Sequence, residues 1–430
     1  MRSYILATML LGSTFVTNVW AQPQPFSPNY DEDKVPKFEL PDPLVAADGS
    51  RVDSADAWRS EQRPRLLKLF AEQMFGITPT TPFQQHFTLH SADDQALDGT
   101  ATRKLVTINV QGNGRTLPLD LLIYLPNKTR QPAPIFVGLN FEGNHTAHAD
   151  PEIPFPRQVY KSGSGEKIVP AARGAQSGRW PVEQILARGY GVATMYCGDI
   201  DPDFDDQFAN GVHPLFYEPG QSQLHDDQWG TIGAWAWGLS RIVDYLMTDA
   251  DIDHERIIVM GHSRLGKTAM WAAAQDERFA AAVSNSSGCG GAALSRRRFG
   301  ETVQRINQNF PHWFCRNFKK YNNNEDALPI DQHELVALVA PRPILICSAV
   351  NDRWADPRGE FLSGKYASPV FRLLGVEGMA ADEMPAVDAP VYSRIGYRIR
   401  EGDHQVLPGD WSIFCDFADH NLPSSHCSPQ

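Results

Sequence analysis

Apolar residues recur along this chain in two rhythms. Lys104–Val110 and Leu119–Tyr124 alternate apolar and polar positions, with Gly112-Asn113-Gly114 between them. That pattern predicts two antiparallel strands joined by a tight turn. From residue 134 onward the rhythm changes to short continuous apolar runs: Pro134–Leu139, Tyr190–Tyr196, Ile257–Met260, Phe279–Val283, Pro343–Ala349 and Ile395–Arg400. Runs of this length without alternation predict strands buried on both faces. Helical spacing appears between them, at Val182–Arg188, Trp229–Met247 and Asp410–His420, and ahead of them at Arg63–Phe75, where Leu66, Leu67, Phe70 and Met74 share one face. Strands alternating with helices imply a mostly parallel sheet covered on both sides, a three-layer α/β sandwich. The leading antiparallel strands match the α/β-hydrolase plan. Residues 141–179 and 197–228 are long connections rich in Gly, Pro and Asp, expected over the carboxyl ends of the strands, where such sheets bind ligands. Residues 22–60, rich in Pro and Asp, read as an extension wrapped around one catalytic domain that spans residues 22–430.

Composition narrows the class. The chain has 430 residues, 42% of them hydrophobic and 21% charged, with a formal net charge of −12. These values suit a globular protein and argue against a nucleic-acid partner. At the N-terminus, Arg2 precedes apolar Ile5–Leu11, and Val19-Trp20-Ala21 ends the stretch. This reads as a signal peptide cleaved after Ala21, which makes the protein secreted or periplasmic. No later segment has the apolar length of a membrane span. Export permits disulfides among the six cysteines. Cys289 with Cys315 and Cys415 with Cys427 are the local pairings expected, and Cys347, inside an apolar run, is expected as a free thiol. No Cys/His cluster has zinc-site spacing.

The chemistry concentrates at Gly261-His262-Ser263, where an apolar run meets the helix-forming stretch that contains Ala269–Ala272. A serine on a sharp strand-to-helix turn is the arrangement that exposes Oγ as a nucleophile. Gly261 and Gly266 would remove side chains where the chains crowd. The second glycine comes one residue later than in G-x-S-x-G, with Leu265 in its place. A serine hydroxyl needs a base and a group that orients the base, and in α/β-hydrolases these follow in the order serine, acid, histidine. His404, after the run 395–400, is the expected base. A lone loop histidine is ordinarily just a surface residue, and chain order is what singles this one out. Asp352, after the run 343–349, is the expected acid, preferred over Asp403, which as an immediate neighbour of the histidine is badly placed to orient its ring. Arg264 would supply a backbone N–H, and its side chain a cation, to the oxyanion. A cation at a helix N-terminus opposes the macrodipole, so its position suggests a use of this kind.

The run Gly261-His262-Ser263-Arg264-Leu265-Gly266-Lys267-Thr268-Ala269 resembles the G-[CH]-S-R-x-G-K-x-A motif of the glucuronoyl esterases, carbohydrate esterase family 15. Gly290–Arg297, Gly300-Glu301, Phe310–Phe314, Asp352–Pro357 and Gly402-Asp403-His404 agree with it. The resemblance implies an α/β-hydrolase that cleaves esters between 4-O-methyl-glucuronic acid on xylan and lignin alcohols. It implies no metal or organic cofactor, and Lys267, Glu301 and Trp354 holding the glucuronate ring. Two departures stand out. Many members carry a catalytic glutamate where this chain has Ser286, so the acid must be Asp352. The cysteine pair of fungal members is replaced by His262 and Gln405, which favours a bacterial type. The rival expectations are a carbohydrate acetyl esterase on the same fold and a carbohydrate-binding pseudoenzyme. The protein is expected to act as a monomer.

Overall fold

The computed structural model describes residues 26–128 and 132–423. The expected signal peptide and Cys427 lie outside these residues. Eleven strands occur among them: β1 (Gln84–Gln95), β2 (Ala101–Gly112), β3 (Arg115–Pro126), β4 (Ala133–Asn140), β5 (Val159–Tyr160), β6 (Lys167–Ile168), β7 (Gly191–Tyr196), β8 (Ile252–His262), β9 (Ala281–Asn285), β10 (Ile344–Ala349) and β11 (Ile395–Arg400). Nine form one sheet in the order β1-β2-β3-β7-β4-β8-β9-β10-β11, and β5 and β6 pair separately. The pairings β1–β2, β2–β3 and β3–β7 are antiparallel. From β7 to β11 every pairing is parallel.

The continuous apolar runs work as buried strands because both sheet faces are covered. Along β8, Ile257 and Val259 enter one hydrophobic core and Ile258 and Met260 enter another. This is the period-2 alternation of a strand read out on two apolar sides. The first core includes the helices Thr231–Leu246 and Arg264–Gln275. The second includes Trp411, Phe414 and Phe417 of the helix Pro408–Asn421, with Ile185 of the helix Val182–Ala187. The fold is that of an α/β-hydrolase.

Between β2 and β3 only Asn113 and Gly114 intervene, both at positive φ, 49° and 68°. This is the two-residue turn that matches the twist of a hairpin. The helix expected at Arg63–Phe75 is α-helical over Arg63–Phe70 and continues as a π-helical turn over Ala71–Phe75, with Leu66, Phe70 and Met74 buried. Several elements escape the apolar pattern, β1 and the helix Pro357–Leu373 among them. β1 is an edge strand with no fully buried position, so it carries no apolar run to read, and pairing with β2 holds it. The helix Pro357–Leu373 contains Gly, Ser and a proline, and it starts where the Asp356 carboxylate caps the Gly359 amide. The N-terminal extension does wrap the domain: the Asn29 carbonyl accepts from the Gly300 amide at 2.8 Å, and the Pro43 carbonyl from Gln62 at 2.9 Å.

The expected disulfide between Cys289 and Cys315 does not form. Both are free buried thiols, as are Cys347 and Cys415. The two segments are held instead by packing in the core that contains Cys289 and Phe314.

Candidate active site

Ser263, Ser286, Asp352 and His404 each follow the carboxyl end of a strand, β8, β9, β10 and β11 in turn. These four strands are consecutive in the sheet. Residues far apart in sequence therefore share one rim.

Ser263 has φ 58° and ψ −128°, a conformation costly for a residue with a side chain. Crowding enforces it. A Cβ on Gly261 would lie 1.9 Å from the Leu265 carbonyl oxygen, and one on Gly266 would meet the Ser287 Cβ at 3.0 Å. No side chain caps the helix Arg264–Gln275. The Gly266 and Lys267 amides turn back onto the Ser263 carbonyl, which leaves the Arg264 amide at the open helix end.

His404 Nδ1 lies 2.6 Å from the Asp352 carboxylate. Asp352 is buried, while the His404 side chain is 43% exposed. The imidazole thus has one nitrogen tied to a buried acid and its ring open to the cleft. It packs on His262, the residue before the serine, with ring centroids 4.5 Å apart. Burial holds His262 well below the usual histidine range, with His404 and Arg179 adding to the effect, so His262 is a neutral partner. Its Nδ1 meets the Asn285 side-chain amide at 2.9 Å.

The Arg264 side chain is part of a network that apolar patterning did not reveal. Its Nε lies 2.9 Å from Asp203, and its guanidinium sits 4.6 Å from the Phe141 ring centroid. Asp203 also accepts from Trp313 Nε1 at 2.7 Å and meets His312 Nε2 at 3.0 Å. Burial pushes the Asp203 carboxyl up, but Arg264 and His312 hold it well below the usual carboxylate range. The arginine is therefore ion-paired through its Nε side, without a well-aligned hydrogen bond there, and its guanidinium makes no side-chain hydrogen bond among the described residues. Asp203 lies in the connection 197–228, and His312-Trp313 in the motif 310–314, so both segments were marked by sequence although the contact was not.

Lys267, Glu301 and Trp354 come together. Lys267 is buried and donates to the Ser287 carbonyl. Burial lowers its pKa, opposed by Glu301. Glu301 donates its backbone N–H to the Trp354 carbonyl at 3.1 Å. Burial pushes the Glu301 carboxyl up to about 7, against the pull of Lys267 and of the Trp354 N–H. Trp354 is half-buried and meets Phe26 of the N-terminal extension edge-on at 6.0 Å.

Ser286 has φ 48°, and its buried hydroxyl has no hydrogen-bond partner among the described residues. Beneath this rim lies Glu360, fully buried, whose carboxyl accepts from the Gly288 amide at 2.9 Å and pairs with Ser348 Oγ at 2.6 Å. It ties the segment after β9 to β10. No group of three or more His, Cys, Asp or Glu among the described residues could hold a metal ion.

Comparison with known proteins gives a consistent neighbourhood. A family model described as glucuronyl esterase of fungi matches residues 216–375. A carbohydrate esterase from an unknown prokaryotic organism is 50% identical over 429 residues, covering 98% of each chain. Among solved structures, a promiscuous carbohydrate esterase family 15 esterase from a marine bacterial metagenome aligns with a TM-score of 0.86 at 50% identity, over 92% of this chain and 100% of that one. A glucuronoyl esterase from Solibacter usitatus aligns with a TM-score of 0.86 at 43% identity, over 91% and 100%.

Proposed function

The chain is a carboxylic ester hydrolase of the glucuronoyl esterase family, carbohydrate esterase family 15, and on that premise we propose that it hydrolyses esters of 4-O-methyl-glucuronic acid, as in lignin–glucuronoxylan linkages, through a serine acyl-enzyme. Ser263 Oγ attacks the ester carbonyl and His404 Nε2 takes its proton. Asp352 holds the Nδ1–H and stabilises the imidazolium. Negative charge developing on the carbonyl oxygen meets the Arg264 amide and guanidinium. The alcohol leaves with the proton from His404. Water, activated by the same histidine, then releases the uronic acid and restores Ser263. Lys267, Glu301 and Trp354 hold the sugar ring.

The observation that carries this reading is the 2.6 Å contact between His404 and buried Asp352, on the rim that bears the strained Ser263 turn. The Arg264 guanidinium, free of side-chain hydrogen bonds among the described residues, supports its oxyanion role. Turnover of a benzyl glucuronate ester by the wild type and its loss in Ser263→Ala are the expected results. Activity confined to acetylated xylan would replace this reading with the acetyl esterase. A wider range of esters alongside glucuronate is the second reading, favoured by the 50% identical structure described as promiscuous. Export belongs to the same proposal, and sequencing of the mature N-terminus checks cleavage after Ala21.

A further inference from the structure

A cavity of about 300 Å³ opens over β2, β3 and β7, at the lower end of the size range of small-molecule sites. Ser263, Asp352, His404, Lys267, Glu301 and Trp354 do not line it. Tyr196, the last residue of β7, does, together with Asp199 just after it. The cavity therefore lies on the same carboxyl-end rim as Ser263. The sheet order puts one strand, β4, between β7 and β8, and strands lie about 4.8 Å apart, so the cavity is about 10 Å or more to the side of the nucleophile.

Its polar groups are unequal. Asp120 and Arg157 satisfy each other in a paired contact, with Thr107 donating to Asp120 at 2.7 Å. The Asp199 carboxyl, which faces the cavity, accepts the Asp120 backbone N–H but no side-chain hydrogen bond among the described residues, so it keeps acceptor capacity for a ligand. Burial, with Asp120 beside it, pushes that carboxyl up to about 7. The Tyr196 hydroxyl meets the Tyr160 backbone and makes no side-chain hydrogen bond among the described residues, and its ring lies over Gly198, where a Cβ would come within 2.3 Å of it. The walls are apolar: Leu121, Ile153 and Phe155, whose ring is 51% exposed. One acceptor, one phenol and an apolar wall suit a ligand that carries hydroxyl donors on one edge and a C–H face on the other. Arg157 and Asp120 neutralise each other, which leaves Asp199 as the one carboxyl free to act on a ligand; nothing in the lining attracts an anion, so the ligand class is neutral.

We propose that this cavity is a second carbohydrate subsite, which takes a neutral glycosyl unit of the polymer whose uronate ester lies at Ser263. Its occupant's class rests on the esterase reading. Xylotetraose, which carries no uronic acid, is the probe, titrated calorimetrically into Ser263→Ala protein. Saturable binding is expected, weakened about tenfold by adding Asp199→Ala and likewise by adding Phe155→Ala, the loss that follows from removing one hydrogen bond to a charged group or one apolar contact face. In otherwise wild-type enzyme, Asp199→Ala should leave kcat/KM on a benzyl glucuronate ester within about twofold and lower it on esterified glucuronoxylan. Absence of xylotetraose binding overturns the subsite while leaving esterase activity as its own test. Binding that survives both variants but is lost in Trp354→Ala puts the sugar in the catalytic cleft and also overturns it. Loss of small-ester turnover in Asp199→Ala would mean that the cavity supports the cleft instead of binding sugar. Asp199-dependent binding by a protein that hydrolyses no glucuronate ester would uphold the subsite and refute the esterase reading.

Discussion

Replacing Asp352 by asparagine tests the acid directly, because the substitution keeps the shape and removes the charge. Asp352 Oδ2 and His404 Nδ1 are 2.6 Å apart, and the aspartate side chain is 3% exposed. In the proposed mechanism His404 takes the serine proton, and an imidazolium forms against this carboxylate. Unit charges about 4 Å apart at an effective dielectric of about 20 attract by about 4 kcal/mol. The histidine is partly exposed, so solvent screening reduces this to about 3 kcal/mol. That corresponds to a fall of about 100-fold in kcat, and the asparagine amide adds to it by favouring the wrong imidazole tautomer. The assay is steady-state hydrolysis of a benzyl glucuronate ester at neutral pH, with Ser286→Ala alongside. The Ser286 hydroxyl is buried and has no hydrogen-bond partner among the described residues, so its removal should change kcat by less than about twofold and cost no stability. A kcat for Asp352→Asn within about threefold of wild type, or a large loss in Ser286→Ala, would refute the assignment and return the acid to the segment after β9.

Three further outcomes are expected. If the Glu301 carboxyl, pushed up to about 7, holds the sugar, it accepts its hydroxyls more strongly when ionised; KM for a glucuronate ester should fall as pH rises through about 7, and Glu301→Gln should have a flat KM profile, which a wild-type KM independent of pH would contradict. Burial pushes Glu360 from 4.5 up to about 8, so its contribution to stability is fully present below about pH 4.5 and is lost as pH rises through about 8. Melting curves should therefore show Glu360→Gln close to wild type at pH 5 and more stable at pH 9, while Glu360→Ala, which strands the Gly288 amide and Ser348, should lose about 2–4 kcal/mol; a glutamine variant with the wild-type pH slope would count against this. Arg264→Ala should lower kcat by about 10- to 100-fold and relieve inhibition by product glucuronate, and unchanged values of both would remove Arg264 from the oxyanion site.

Much of the sheet was legible because parallel strands buried on two faces cannot hide among polar residues. The run at 395–400 coincides with β11 residue for residue, and the turn at Asn113-Gly114 follows from the positive φ that those two residues tolerate. β1 was not legible, since an exposed edge strand is held by backbone pairing and leaves no side-chain signature. Local spacing also misled: Cys289 and Cys315 are near in sequence, yet packing keeps them as separate thiols. For the site, chain order marked Ser263, Asp352 and His404 because strand-end loops recur in a set sequence. What the chain alone determined is therefore which segments are buried and which residue types end them. Tertiary structure decided which ends meet. It brought Asp203 against Arg264 and Glu360 beneath the rim, and it opened a cavity around Asp199. Those contacts join segments distant in sequence through single polar side chains, and a polar side chain in a loop has no periodicity from which its partner can be read.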